Sequence, residues 1–164
     1  MASLNADELH VRVVSRRLVK ASDTSIEPHV LAVSNLDLLP LPLEGYIICF
    51  YPRPPSTDFS AVVTTFESGL PALLNHFFLL AGRTATNPRS GLPEVHCKNQ
   101  GAELVVGEAA GVGLASLDYD NMSESLQRIH LPYGRPDVAF SVQLYRSRAA
   151  ASPWRGAPTM CSWM

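Results

Sequence analysis

Five histidines, His10, His29, His76, His96 and His130, are the side chains best suited to move a proton near neutral pH. They are scattered, and no two have the spacing of a metal pair. A lone histidine is more often a surface or satisfied core residue than a ligand. His96 and Cys97 are neighbours, but successive residues of a strand point to opposite faces, so they cannot hold one ion together. The three cysteines, Cys49, Cys97 and Cys161, are odd in number and widely spaced without a Cys-x-x-Cys pair. Neither a disulfide framework nor a zinc site follows, and a reducing cytoplasm suits them. Residues 107–116 (GEAAGVGLAS) contain a Gly-x-Gly, but they lack G-x-G-x-x-G and a long helix after it, so a mobile loop is expected there instead of a phosphate cradle. No serine stands in Gly-x-Ser-x-Gly. Motifs alone therefore name no catalytic residue and no metal ligand, and they leave cofactor-binding residues unknown.

The chain that must position any such chemistry has 164 residues, 46% hydrophobic and 17% charged, enough to bury a sizeable core. No apolar run reaches the roughly 18 to 20 residues of a membrane span, and the N-terminus has no cationic start followed by an apolar stretch. A soluble, cytoplasmic protein is expected. The net charge of −2 and pI near 6.2 give no field to draw in nucleic acid or an anionic membrane surface. The charge is unevenly placed: Asp137 is the last acidic residue, and residues 138–164 carry arginines alone as charged groups, with both tryptophans.

Residues 11–21 (VRVVSRRLVKA) read as a half-buried strand, and 45–51 (GYIICFY), bounded by Gly45 and Pro52, as a strand buried on both faces. Residues 29–38 are ambiguous between a short strand and an irregular segment. A capping cluster at Ser56, Thr57 and Asp58 opens a helical region over 58–80, whose apolar residues recur at helical spacing. Gly69 and Pro71 predict two helical pieces with a restart near Gly69, a kink being the alternative. Residues 87–93 have turn chemistry. Residues 94–97 and 102–106 predict a hairpin through Asn99, Gln100 and Gly101. Residues 114–119 suit a short element, 122–129 one or two helical turns, and 138–144 (VAFSVQL) a final strand.

Several of these segments, VSNLDL (33–38), YIICFY (46–51), LPALLNHFFLLAGR (70–83) and EVHCKNQGAELVV (94–106), together resemble the N-terminal half of the plant BAHD acyltransferases, in order and in spacing. The resemblance covers about residues 11–143. It departs at Leu79, where the family usually has a proline, and at Gly69 and Pro71, which replace commoner helix formers. It implies an α/β fold, a partial chloramphenicol-acetyltransferase-like domain with a mixed β-sheet and packed helices. It also implies transfer of an acyl group from acyl-CoA, a co-substrate and not a bound cofactor, to a hydroxyl or amine of a small acceptor. The family's His-x-x-x-Asp supplies the general base, its Asp-Phe-Gly-Trp-Gly lies far downstream, and CoA binds between the two halves.

Four positions beyond the five histidines stand Val14, Val33, Leu80, Gln100 and Gly134, so no His-x-x-x-Asp exists in this chain. The expected organisation is a tail at 1–10, the N-terminal half of the acyltransferase domain at 11–144, and a non-family tail at 145–164 outside the fold. A frame change is the expected origin of that tail, because the third-base frame of its degenerate codons permits Cys-Gly-Gly-Phe followed by His-x-x-x-Asp at the expected place; natural divergence or a retained intron is the alternative. The chain is thus expected to be truncated before its catalytic motif and inactive, either monomeric or prone to aggregate through exposed edges. The alternative is a non-catalytic remnant that binds a full-length relative.

Overall fold

A computed structural model describes residues 11–32, 34, 47–51, 58–110, 121, 134–148 and 159–163. In chain order these form β1 (Val11–Val19), β2 (His29–Ala32), β3 (Ile47–Tyr51), α1 (Phe59–His76), a 3-10 turn (Phe78–Ala81), β4 (Arg83–Thr86), β5 (Pro93–Cys97), β6 (Ala102–Ala110), β7 (Ser141–Arg148) and β8 (Thr159–Trp163). Five strands make one sheet in the order β1-β6-β7-β8-β3, and β2-β5-β4 make a second. The larger sheet is mixed: β6 and β7 run parallel and every other pair is antiparallel.

The α1 helix starts where Asp58, with extended backbone, accepts the Phe59 N–H on its side chain at 2.7 Å. The helix is continuous through Gly69 and Pro71, not two pieces, and the chain breaks instead at Phe77. Proline inside a helix costs about 3 kcal/mol, but Leu70 and Leu74 on either side of Pro71 are buried against the sheet. Each such side chain gains roughly 1.5–3 kcal/mol, so one packed face holds both turns in line. These leucines meet Ala102, Leu104, Val142 and Leu144 from β6 and β7, with Val19 and Cys49 at the margin.

Val11–Val19 is a strand as expected, with one irregularity. The register runs Val13 opposite Gly107 and then Ser15 opposite Val106, so Val14 bulges out. One extra residue inverts the facing of all that follow: Arg17 reaches the helix side, where it pairs with Glu67, and Arg16 reaches the other. The hairpin expected from 94–97 and 102–106 does not form, because β5 belongs to the small sheet and β6 to the large one. The turn between them is tied to β1 instead, Asn99 accepting the Ala21 N–H at 2.8 Å and donating to the Ala21 carbonyl at 3.1 Å.

The strand expected at 45–51 is present over Ile47–Tyr51, but it is the outermost described strand of its sheet and Ile47 is 66% exposed, so it is not buried on both faces. The loop expected from Gly107 is strand as far as Ala110. The strand expected at 138–144 begins at Ser141, continues to Arg148 and is followed by β8, which lies between β7 and β3 inside the segment expected to be outside the fold. The elements expected at 114–119 and 122–129 fall outside the described residues, as do Ser56 and Thr57.

Candidate functional site

The two faces of the central parallel pair differ in chemistry. Alternation in β6 and β7 sends Ala102, Leu104, Val142 and Leu144 to α1, and Glu103, Val105, Ser141, Gln143 and Tyr145 to the opposite face. All five of the latter are buried, Glu103 at 3% exposure. A carboxylate there requires partners. Glu103 Oε1 accepts from Arg16 Nη1 at 2.9 Å and from the Gly134 N–H at 3.2 Å, and Oε2 accepts from the Ser141 hydroxyl at 3.0 Å. One turn of pleat further on, the Tyr145 hydroxyl donates to Gln143 Oε1. A Cβ at Gly134 would meet the ends of the Arg16 and Glu103 side chains, so a larger residue there would require the ion pair to shift. With both carboxylate oxygens committed, Glu103 ties β1, β6, β7 and the chain at Gly134 together; its chemistry is positioning, not proton transfer to a bound molecule.

A buried cation, Arg83, holds the junction of the two sheets. It donates from Nη1 to the Gly82 and Gly101 carbonyls at 2.7 and 2.8 Å and from Nη2 to the Gln100 carbonyl at 3.4 Å, with Asp137 3.7 Å from Nε. Burial pushes the guanidinium's pKa down, and the Asp137 carboxylate opposes that shift. Before it, a Cβ at Gly82 would stand 2.8 Å from the His96 carbonyl oxygen and 2.9 Å from that of Leu79, so the Leu-Ala-Gly-Arg run is held by close backbone approach.

The histidines do not converge. His96 Nε2 donates to Glu94 Oε1 at 2.7 Å, and Asn87 donates to Glu94 Oε2 at 2.8 Å. This carboxylate-oriented imidazole has the make-up of a base, yet no hydroxyl or thiol among the described residues is bonded to it. His29 is on β2 with Nδ1 donating to the Glu27 carbonyl at 2.9 Å and its ring 4.6 Å from that of Phe78. His76 ends α1, and His10 and His130 lie outside the described residues. Among the described residues no group of three His, Cys, Asp or Glu could hold a metal ion, and no helix is long and apolar enough to cross a membrane. The polar face is not legible in the sequence, where residues 138–144 read only as an alternating final strand. The signal was Glu103, a charge set inside the apolar run ALVV.

A mixed sheet with a central parallel pair, one face packed by a helix and the other polar and buried, defines a partial α/β fold. The model of the Transferase family matches residues 9–141, and the chain belongs to that family, the BAHD-type acyltransferases. The crystal structure of vinorine synthase matches with a TM-score of 0.66 at 21% identity, over 93% of this chain and 37% of that one. F. graminearum TRI101 complexed with ethyl coenzyme A matches with a TM-score of 0.54 at 16% identity, over 84% of this chain and 34% of that one. At these identities the likeness is one of fold, and the chain spans little more than a third of either structure's length. Comparison with curated protein sequences gives no match.

Proposed function

We propose that this chain is the N-terminal part of an acyl-CoA-dependent acyltransferase of plant-type specialised metabolism, acting in the cytoplasm on a hydroxyl or amine of a small acceptor, and that these 164 residues alone do not turn over. The family match over residues 9–141 supports the acyltransferase class in the first statement. The coenzyme A compound held by TRI101 supports an acyl-CoA thioester as donor. The second rests on the sequence, in which no histidine is followed four positions later by Asp. In such a transfer a base removes the acceptor's proton as its oxygen or nitrogen attacks the thioester carbonyl, and the CoA thiol leaves. A missing general base costs on the order of 10²–10⁴ in rate, and a missing part of the donor channel removes positioning as well.

Two measurements of released CoA thiol test this. The purified chain, given a panel of acyl-CoAs and acceptors, should release thiol no faster than the blank; turnover that survives repurification overturns the inactivity. A soluble chimera that joins this chain to the remaining segment of a relative, His-x-x-x-Asp included, should release thiol only when an acceptor is present. A folded chimera silent across the panel overturns the parent activity.

A second reading, a non-catalytic partner of a full-length relative, is favoured by β2. All four of its residues are exposed, Val30 and Leu31 among them, at the outer edge of the small sheet among the described residues. Co-purification with an intact relative, unaffected by CoA, supports it.

A further inference from the structure

The register of β3 and β8 sets Cys49 directly opposite Cys161. Opposed residues of antiparallel strands have Cα atoms roughly 4.5–5.5 Å apart, inside the span of roughly 4.4–6.8 Å that a disulfide bridges. Nothing in the linear sequence brings these two together, since one stands in the first third of the chain and the other three residues from its last position. Cys49 is a free thiol, half-buried at the margin of the core, within reach of a small oxidant. The third cysteine is also a free thiol but is differently placed. Cys97 stands on β5 in the other sheet, is buried, and points its thiol at the Val95 carbonyl 3.7 Å away. Buried cysteines in apolar surroundings are inert, because the thiolate is the reactive form.

We propose that Cys49 and Cys161 are a peroxide-sensitive pair that closes into a cross-strand disulfide between β3 and β8. The Cys49 thiolate attacks the O–O bond of hydrogen peroxide, leaving a sulfenic acid as the departing hydroxide takes up a proton to become water. The Cys161 thiolate then attacks that sulfur, the S–S bond forms, and the sulfenic oxygen leaves as a second water. Two thiols are oxidised by two electrons and one peroxide is reduced to two waters. The bond fastens β8 to β3 and encloses α1 and β4 to β7 in one covalent loop, and a thiol reductant opens it again.

The test treats the full chain with dilute hydrogen peroxide in native buffer, alkylates the remaining thiols, and maps the tryptic peptides by mass spectrometry. The expected product is one linked pair carrying Cys49 and Cys161, lighter than the two reduced peptides by two hydrogens, with Cys97 alkylated. It should form equally in Cys97→Ser, vanish on reduction, and give way to mixed pairings when oxidation is carried out in guanidinium. Native oxidation that leaves Cys49 and Cys161 as fully alkylated as Cys97, or that links either of them to Cys97 or to a second molecule, overturns the proposal.

Discussion

Ser141 of β7 stands beside Glu103 of β6 on the parallel pair at the centre of the sheet, and its hydroxyl donates to the Glu103 carboxylate at 3.0 Å with both side chains shut off from water. The same carboxylate reaches Arg16 across β1. Three strands are thereby held by one side chain, and their coupling can be measured. Breaking a wholly buried ion pair costs about 3–5 kcal/mol, but the Arg16 side chain is 30% exposed and water can take up its charge. Glu103→Ala is therefore expected to cost about 2 kcal/mol and Ser141→Ala about 1 kcal/mol in urea unfolding. The double variant should lose roughly 0.5–1 kcal/mol less than the two single losses combined. Strict additivity would show that the hydroxyl and the carboxylate do not act together.

Arg83 predicts that a conservative change will not be conservative. Its fork serves three backbone carbonyls from a buried position, and a lysine offers one point charge on a flexible stem that cannot reach all of them. Arg83→Lys should lower stability by about 2 kcal/mol and Arg83→Met by at least as much, since the carbonyls left unpaired are the cost. Limited proteolysis should then cut near Gln100 and Gly101, where the turn loses its tether. A Lys variant with an unchanged unfolding midpoint would remove Arg83 from its place as the lock between the sheets.

The acid limb of stability should carry the mark of Glu94. A hydrogen bond from His96, and then one from Asn87, hold its carboxyl below the ordinary value of 4.5. A carboxyl depressed in the folded state stabilises fully above its unfolded value, and that contribution is lost as pH falls through the folded one. Asp137, lowered chiefly by its hydrogen bond from Arg135, acts in the same direction below 3.8. Unfolding midpoints taken from pH 6 down to pH 3 should therefore fall less steeply below about pH 4.5 in Glu94→Gln than in the unaltered chain. Equal slopes would mean that the His96 contact does not persist in solution.

What could be read from the residues follows from range. The Asp58 cap, the helical spacing from Phe59 to His76 and the apolar β-branched runs are local, and the structure has a helix and strands there. The failures among the strands are matters of pairing. Glu94–Cys97 and Ala102–Val106 have hairpin chemistry, yet whether consecutive strands share a sheet is decided by contacts such as Asn99 with Ala21, far apart in sequence. The bulge at Val14 cannot be seen in VRVVSRR, where either Arg16 or Arg17 could face Glu103 until the register is fixed. The polar face stayed hidden for the same reason: Glu103, Ser141 and Arg16 become a site only when three strands are aligned. Family resemblance filled part of that gap because its motifs record pairing, Gly82 and Arg83 being the residues that touch β5 and the turn after it.

Pro71 gives the last prediction, and it separates helix propensity from packing. In an unsupported helix the ring would clash with the Glu67 carbonyl and leave that oxygen without its N–H donor, which predicts the break expected near Gly69. The helix runs through because Leu70 and Leu74 stay buried on the sheet, while the Pro71 carbonyl takes up an N–H from Ser22 at 3.4 Å. The proline is thus tolerated, not required. Pro71→Ala should restore the missing backbone bond, keep the Ser22 contact, and raise stability by about 1–3 kcal/mol, read as a higher urea midpoint at unchanged slope. Leu74→Ala, which removes the packing that overrides the break, should cost about 2–5 kcal/mol. If Pro71→Ala instead destabilises the chain, the ring itself shapes α1, and two buried leucines are not what offsets the lost hydrogen bond.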